Sequence, residues 1–260
     1  MKQFITVEEA QQLIALEAKG WGSETILLEN AFQRTLAEDV LADRDYPPFN
    51  RAAMDGIAIR AEDFLDNKIT IFQIVDELLA GATSELSLTA GQCFRIMTGA
   101  AVPNSANAVV KVEDCIINGN TAVVAENSKI KFSLNIAIQG EDAKAQQCIL
   151  KKGTLINATV LAALASVGKY EVSVAKKPTV AIIATGNEIV SVNASVLPHQ
   201  IRNSNTFTLI GLLQSLGIAV TQQHLVGDDK SLMEKTLQAA MVCDVVIFTG
   251  GVSKIGRAHV

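Results

Sequence analysis

The sequence predicts a multidomain α/β protein that combines a parallel α/β domain, a β-rich module and a mixed N-terminal and linker domain. Residues 180–184 form an apolar run, residues 205–216 have helical spacing, and residues 218–226 are strand-like. An amphipathic stretch over 230–241 and an apolar run over 245–248 complete the alternation. Strands that alternate with helices at this rhythm indicate a parallel sheet with right-handed crossovers.

The first half of the chain carries different signals. Thr6-Val7-Glu8-Glu9 is a capping-box pattern followed by apolar residues at helical spacing, so we expect an N-terminal helix. A second, short helix is predicted over residues 31–36. Between residues 57 and 124, short β-type runs alternate with Gly, Asn and Pro turns, which indicates the β-rich module. Its predicted strands cover residues 69–75, 94–97, 108–112 and 121–124, with a hairpin turn at Gly119-Asn120.

Composition argues against several classes of function. The 260 residues are 49% hydrophobic and carry a net charge of −5 with no block of Lys or Arg, which disfavours a nucleic-acid partner. The four cysteines form no C-x-x-C pair and the three histidines share no ligand spacing, so we expect free thiols in a reducing cytoplasm and no transition-metal site. No stretch is long and apolar enough to span a membrane, and the start shows no signal peptide.

The segment from Pro47 to Ala58 places a lone acid, Asp55, between apolar neighbours, with two prolines before it and a glycine after it. Because burying an unpaired charge is costly, we expect this acid to face a ligand or a partner. The alternative is a turn in which Asp55 caps the following strand. Thr98-Gly99, further along the β-rich stretch, resembles Thr-Gly elements found elsewhere in the chain.

Two Thr-Gly elements follow apolar strands of the parallel domain. Thr185-Gly186-Asn187-Glu188 follows the first strand, and Thr249-Gly250-Gly251-Val252-Ser253 follows the last. Because parallel strands of an open sheet end at one edge, where ligands bind, we expect both elements at the same place. Free backbone N–H groups beside glycine suit an anion, and Glu188 adds a carboxylate that suits a metal ion. Each element alone is more simply an exposed loop or an ordinary turn, but two at one edge favour a ligand site.

Further polar residues lie in the loops. In Gly227-Asp228-Asp229, one aspartate is expected to cap the helix that starts near Lys230, while the other faces the sheet edge. Ser204 or Asn205 is expected to cap the helix that precedes the strand at 218–226. Gly140-Glu141-Asp142 joins the β-rich module to the rest of the chain, and adjacent acids of this kind are most simply a solvated pair.

In their order along the chain, these segments resemble the molybdopterin molybdenumtransferase family, which includes bacterial MoeA and the E domain of gephyrin. The resemblance runs from about Thr6 to Ser253; each motif is weak alone, but the ordered set is highly specific. The residues that carry it are Pro48-Phe49, Met54-Asp55-Gly56, Thr98-Gly99-Ala100 with Pro103, Gly140-Glu141-Asp142, Thr185-Gly186-Asn187-Glu188, Ser204-Asn205 and Thr249-Gly250-Gly251-Val252-Ser253.

The resemblance implies a reaction and its reactants. Members of the family take adenylylated molybdopterin and molybdate with Mg2+, insert molybdenum at the dithiolene and release AMP. It also implies a Rossmann-like α/β domain of the molybdopterin-binding type, a homodimer, a cytoplasmic location and a molybdopterin adenylyltransferase as the upstream donor. The substrate cleft would lie between that domain of one chain and the β-rich module of its partner.

The family motifs carry roles onto matching positions of this sequence. Asp142, Glu188 and Asp228 would be the catalytic acids, with Glu188 and Asp228 as ligands of Mg2+. Asp55 and Thr98 would reach the cleft from the partner chain. The full substrate-binding set would be Asp55, Thr98, Gly99, Thr185, Gly186, Ser204, Asn205, Gly250, Gly251 and Ser253.

The chain departs from the family pattern in two regions. Where the family often has arginines before Gly140, this chain has Ala137-Ile138-Gln139, which weakens anion recruitment there. After the Gly-Gly-Val-Ser motif, Ile255 and Ala258 replace an expected glycine and an expected aspartate. We therefore expect a C-terminally truncated and inactive member with an incomplete parallel domain, and an artefactual tail over residues 254–260 encoded by a sequencing adapter.

The expected domains are an elongated N-terminal and linker domain over residues 1–46 and 140–176, a β-rich inserted module over 47–139, and a truncated molybdopterin-binding α/β domain over 177–260. Two other functions stay open at this stage. One is a non-catalytic molybdopterin-binding or scaffold protein on the same fold, which four acids at Asp55, Asp142, Glu188 and Asp228 disfavour. The other is a molybdopterin adenylyltransferase, which the β-rich module disfavours.

Overall fold

The computed structural model describes residues 5–250, so Gly251, Ser253 and the expected tail over 254–260 lie outside the described residues. Helices and strands are numbered in chain order. Within residues 5–250 the α-helices are α1 (Val7–Glu17), α2 (Ala61–Leu65), α3 (Ala158–Ser166), α4 (Asn205–Ser215) and α5 (Lys230–Ala240), with single 3-10 turns at Leu28–Asn30 and Val112–Asp114.

The strands over the same residues are short, and each belongs to a two-stranded sheet or to one of the two larger sheets described below. They are β1 (Ser23–Leu27), β2 (Val40–Leu41), β3 (Arg51–Ala52), β4 (Gly56–Ile59), β5 (Ile71–Leu78), β6 (Gln92–Ile96), β7 (Ala108–Lys111), β8 (Cys115–Asn118), β9 (Thr121–Val124), β10 (Ile136–Ala137), β11 (Cys148–Leu150), β12 (Glu171–Ala175), β13 (Val180–Thr185), β14 (Ile189–Val190), β15 (Ile201–Arg202), β16 (Val220–Val226) and β17 (Val245–Thr249).

Contacts between residues divide the chain into two compact units. The first unit comprises Met1–Glu38, Lys152–Ala165 and Lys169–Val260, and the second comprises Asp39–Lys151 with Ser166–Gly168. The multidomain α/β class expected from the sequence is confirmed. The division into three domains at the boundaries given above stays a prediction.

The first unit contains the expected parallel sheet, with strand order β16-β13-β17. All six residues of the central strand β13 are buried, which explains its uninterrupted apolar run. Ala181 and Ile183 pack in one core cluster with Val226 and with Ala240 of α5. The predicted succession of strand and helix from residue 180 onwards is thus confirmed, with boundaries moved by one or two residues.

The second unit is built on a six-stranded sheet with order β7-β4-β6-β5-β9-β8, in which only β5 and β6 run parallel. The sheet is apolar on both faces at β4, because Ile57 and Ile59 belong to one core cluster and Ala58 to another. The expected β-rich character is confirmed. The hairpin turn at Gly119-Asn120 is confirmed as well, since Asn118 of β8 pairs with Thr121 of β9.

Two helices were expected near the N-terminus, and one forms. Helix α1 begins after a complete capping box, in which the Glu9 N–H donates to Thr6 Oγ1 at 3.1 Å and the Thr6 N–H donates to Glu9 Oε2 at 3.0 Å. The predicted helix over residues 31–36 is wrong. Gln33 has a φ of 58°, and the Leu36 N–H donates to the Thr154 carbonyl, so long-range bonding replaces local helical bonding there.

None of the helices within residues 5–250 has the length and apolar character needed to cross a lipid bilayer.

Glycine at position 56 is required by a close backbone approach. A Cβ on Gly56 would collide with the carbonyl oxygen of Val110 on the neighbouring strand β7. We expect Gly56→Ala to lower the free energy of unfolding by about 1–3 kcal/mol, because a well-packed sheet must shift to admit the methyl group. Chemical denaturation of the purified chain measures this.

The control is Gly211→Ala in the middle of α4, where a Cβ would meet nothing within 4 Å. We expect that variant to gain about 0.5–1 kcal/mol, since alanine has the higher helix propensity. Equal stability of the two variants would contradict the steric account of Gly56.

Candidate functional site

The three parallel strands of the first unit end together, and glycine allows their ends to meet closely. Thr185 pairs with Val226, and Ala184 pairs with Thr249. Gly250 has a φ of 102°, and a Cβ there would lie 2.5 Å from the Thr185 carbonyl oxygen and 2.9 Å from Thr185 Oγ1. A side chain at position 250 would therefore separate the two Thr-Gly elements that the sequence expects at this edge.

Two threonine hydroxyls lie under this edge. Thr185 is buried, and its Oγ1 donates to the Thr249 carbonyl at 3.4 Å. The Oγ1 of Thr249 is also buried, but it has no hydrogen-bond partner among residues 5–250. A buried hydroxyl without a partner carries an unmet desolvation cost.

The loop after β13 holds a carboxylate directly over its own glycine. A Cβ on Gly186 would lie 2.7 Å from each carboxylate oxygen of Glu188. The glycine thus leaves room for the acid to fold back onto the strand end, and the Glu188 side chain is exposed to solvent there. The negative charge of Glu188 therefore lies at the edge of the sheet where the sequence predicts a metal or phosphate ligand.

An asparagine joins this loop to the next one along the edge. Asn187 Oδ1 accepts a hydrogen bond from the Asp228 N–H at 2.9 Å, and the Gly186 N–H donates to the Val226 carbonyl at 3.2 Å. These bonds hold the loop that carries Glu188 against the loop that carries Asp228. Sequence reasoning missed Asn187, although its position between a strand-end glycine and an acid was visible.

The two aspartates after β16 have different positions, as the sequence suggested. Asp229 occupies the N-cap of α5, and its Oδ1 accepts a hydrogen bond from the Leu232 N–H at 2.7 Å. The prediction that one aspartate caps this helix is confirmed. Asp228 is exposed on the preceding loop beside Asn187, which leaves it as the acid of this pair that lies at the sheet edge.

The start of α4 differs from expectation. Ser204 stands at the N-cap position without a side-chain hydrogen bond, and the Oδ1 of Asn203 accepts from the Thr206 N–H at 3.3 Å instead. The predicted N-cap position of Ser204 is confirmed, but the capping hydrogen bond comes from the preceding asparagine. The side chains of Ser204 and Asn205 are exposed at the start of the helix.

In the second unit, Asp55 and Thr98 lie in direct contact. Asp55 Oδ1 accepts two hydrogen bonds of 2.7 Å, one from the Thr98 hydroxyl and one from the Thr98 N–H. The hydroxyl, and then the N–H, lower the pKa of Asp55 below its ordinary value. Gly99 takes a φ of 86° in this turn, and its N–H donates to the Ala52 carbonyl, which ties the turn to the Asp55 loop.

Asp142 lies in a loop that runs beside the proline segment. The Asp142 N–H donates to the Tyr46 carbonyl and the Gly140 N–H to the Pro47 carbonyl, each at 2.9 Å. The Gln139 N–H donates to Asn50 Oδ1 at 2.9 Å. These backbone bonds fix the loop while the Asp142 side chain stays exposed.

Within residues 5–250, no three His, Cys, Asp or Glu side chains gather into a group that could hold a metal ion. The fit to Mg2+ rests on the chemistry of the donors. Mg2+ is usually held by one or two carboxylates together with waters and substrate phosphates, rather than by a cage of protein ligands. Glu188 and Asp228 are carboxylates of that chemistry, and they lie on loops joined by Asn187.

Comparison with known proteins assigns both parts of the chain to families. Residues 181–257 match the family model described as "Probable molybdopterin binding domain", so the parallel sheet belongs to a domain of that class. Residues 5–168 match the model described as "MoeA N-terminal region (domain I and II)". The chain belongs to the MoeA family.

Curated relatives and solved structures support the same assignment. The chain is 39% identical over 254 residues to a molybdopterin molybdenumtransferase of Staphylococcus epidermidis and 37% identical to one of Staphylococcus aureus. Each match covers 96% of this chain and 60% of the relative, so the chain spans about three fifths of their length. A MoeA protein structure from Pyrococcus horikoshii matches with 32% identity and a TM-score of 0.87, covering 96% of this chain and 68% of the other.

The Asp55–Thr98 contact leads to a prediction about the pKa of Asp55. We expect Thr98→Val to raise the pKa of Asp55 toward its ordinary value, because the largest cause of the lowering is the Thr98 hydroxyl. In the parent chain the two hydrogen bonds are fully present at neutral pH and weaken only as the pH falls through the lowered pKa. A carbon-13 NMR titration of the carboxyl measures both midpoints, with Thr98→Ser as the control that retains the hydroxyl. The same midpoint in all three proteins would contradict this account.

The different positions of Asp228 and Asp229 lead to a second prediction, about the stability of α5. We expect Asp229→Ala to cost about 1 kcal/mol of stability because α5 loses its N-cap. Asp229→Asn should retain most of that stability, since asparagine is an equally good N-cap residue. Thermal or urea unfolding of the three proteins decides this, and an Asp229→Asn variant as unstable as Asp229→Ala would show that the cap is not what Asp229 contributes.

Proposed function

We propose that the whole protein is a molybdopterin molybdenumtransferase, which inserts molybdenum from molybdate into adenylylated molybdopterin and releases AMP. The observation that carries the proposal is the edge of the parallel sheet. Two Thr-Gly turns meet there, and the loops bearing Glu188 and Asp228 are joined through Asn187. Membership of the MoeA family and the printed name of the Staphylococcus relatives support it.

The chemistry at this edge is positioning and charge neutralisation. Cleavage of the phosphoanhydride between molybdopterin and AMP needs little covalent work from the protein. The Gly186 N–H already donates to the Val226 carbonyl, so other backbone N–H groups of the glycine turns would face the phosphate oxygens. Glu188 and Asp228 would hold Mg2+, which when bound supplies the positive charge that phosphate oxygens require.

Residues of the second unit complete the proposed site. Asp55 is held ionised by Thr98, so it provides a fixed negative charge, and Asp142 is a second exposed acid on a loop anchored by backbone bonds. We place Asp55 and Thr98 in the cleft of a homodimer, contributed by the partner chain, and Asp142 among the catalytic acids. Gly251 and Ser253 would add to the phosphate cradle.

The proposed substrate indicates which reaction must precede this one. An adenylylated phosphate must be supplied by an adenylyl-transfer reaction, so the upstream donor is a molybdopterin adenylyltransferase, and we place both proteins in the cytoplasm. A net charge of −5 argues against a nucleic-acid partner. The alternative of a non-catalytic scaffold on the same fold predicts that replacing the edge acids leaves its binding role unchanged.

The test is molybdate-dependent release of AMP from authentic adenylylated molybdopterin by the whole protein with Mg2+. We expect Glu188→Gln to reduce turnover roughly 10²–10³-fold, because a charge aimed at the reacting group is lost while the side-chain shape is kept. Glu234→Gln, on the exposed face of α5, is the matched control and should retain full turnover.

Two outcomes would overturn the proposal. No AMP release from the authentic substrate by the unaltered whole protein would exclude the transferase. Full turnover by Glu188→Gln would overturn the role of Glu188 and of the sheet edge in the reaction, although the transferase activity itself would stand.

A further inference from the structure

One side chain joins the two loops that carry the proposed metal ligands, and the proposed reaction gives it no role of its own. The ladder between β13 and β16 ends at the pair Thr185 and Val226, and the Gly186 N–H adds a last bond to the Val226 carbonyl at 3.2 Å. Two residues beyond that pair on each segment, Asn187 Oδ1 accepts a hydrogen bond from the Asp228 N–H at 2.9 Å. The Asn187 side chain thus continues the pairing of the two segments past the end of the backbone ladder.

A glycine makes room for this amide. A Cβ on Gly227 would lie 2.7 Å from Asn187 Oδ1, well inside van der Waals contact. Gly227 does not have the left-handed backbone conformation that favours glycine, so what its missing Cβ contributes is space for the Asn187 side chain. Asn187 and Gly227 therefore form one joint between the loops.

Each loop is also held on its far side. The Glu188 carbonyl accepts a hydrogen bond of 2.8 Å from the Ile201 N–H, which ties the first loop to β15. Asp229, the neighbour of Asp228, is held at the N-cap of α5. The Asn187 side chain connects these two anchored loops, so its bond helps to set the separation of the backbones that carry Glu188 and Asp228.

A cation that two carboxylates hold depends on that separation. Mg2+ demands nearly ideal octahedral geometry with metal–oxygen distances of about 2.0–2.1 Å, so a small movement of one ligand loop lowers its affinity. Groups that hold metal ligands in place are typically worth about 10–100-fold in metal affinity. Asn187 is such a group, because it precedes Glu188 directly and bonds to the backbone of Asp228.

We propose that Asn187 is a positioning residue of the cation site, and that its Oδ1, seated against Gly227, fixes the separation of Glu188 and Asp228. This inference rests on the proposed function, in which those two acids hold Mg2+. Asn187 acts through its neighbours and does not itself contact the metal. Aspartate at this position would keep an acceptor for the Asp228 N–H, whereas alanine would remove it.

Titration of the whole protein with Mn2+, followed by the electron paramagnetic resonance of the free ion, tests the proposal. Mn2+ takes the same oxygen ligands as Mg2+. We expect Asn187→Ala to bind it about tenfold more weakly and Asn187→Asp to bind it at least as tightly as the parent. Asn157→Ala is the matched control. Asn157 Oδ1 accepts from the Val160 N–H at 2.9 Å at the start of α3, so the control loses an equivalent bond elsewhere and should keep the parent affinity.

Gly227→Ala is a second variant that displaces the Asn187 amide without removing it. We expect it to weaken Mn2+ binding as Asn187→Ala does, and the double variant to bind no more weakly than either single one, because both changes break the same bond. Hydrogen exchange at the Asp228 amide gives a readout that needs no metal. Exchange should be faster in Asn187→Ala and Gly227→Ala and unchanged in Asn187→Asp, which keeps the acceptor.

Parent affinity in Asn187→Ala, or an Asn187→Asp variant as weak as Asn187→Ala, would overturn the proposal, and so would a parent protein that binds no Mn2+. The result is separable from the proposed function. If the whole protein releases AMP and Asn187→Ala needs no more Mg2+ for half-maximal rate, the transferase stands and Asn187 does not position its cation. If Mn2+ binding follows the variants but no AMP is released, the positioning role stands without the transferase.

Discussion

The candidate site depends on a close backbone contact between Gly250 and Thr185 at the ends of β17 and β13. The strands are parallel neighbours, so their carboxyl ends already share an edge. Only glycine brings them to contact there, because a Cβ at position 250 would lie 2.5 Å from the Thr185 carbonyl oxygen. The same logic recurs at Gly186, where the missing Cβ leaves space for the Glu188 carboxylate. Backbone N–H groups, hydroxyls and acid are thereby concentrated in one place.

Asparagine side chains hold the loops around the proposed functional residues. Asn187 bonds to the Asp228 N–H, Asn203 to the Thr206 N–H and Asn50 to the Gln139 N–H. Each bond satisfies a backbone donor in a segment that has no regular ladder to do so. The neighbouring acids Asp142 and Asp228 lie at the surface. Neutral amides thus fix the loops that carry the charged groups.

The sequence predicts what local patterns determine and fails where distant segments compete. The run from β13 to β17 could be read because apolar periodicity, Asp229 and the strand-end glycines are all local signals. Residues 31–36 had a helical pattern, yet the backbone there bonds to residues 154 and 156 and to strand β12. The hydrogen bond between Asn187 and Asp228 joins residues 41 positions apart. The burial of the Thr206 and Thr249 hydroxyls without a partner depends on tertiary packing. No pattern in a short stretch of sequence predicts these long-range features.

Hydrogen-bond geometry alone does not mark Asp55 as functional, because the first unit contains the same motif. Asp244 Oδ2 accepts from the Thr179 N–H at 2.8 Å and from its hydroxyl at 2.7 Å, and those bonds likewise lower the pKa of Asp244. Asp244 and Thr179 precede β17 and β13, so they join the amino ends of two parallel strands. Ligands bind at the opposite, carboxyl ends, which makes the Asp244 pair a structural clasp. Asp55 instead lies on a loop beside the proline segment and an exposed Thr-Gly turn. The proposed role of Asp55 therefore depends on that position, and its ionised state is a consequence of its two bonds to Thr98 rather than a sign of catalysis.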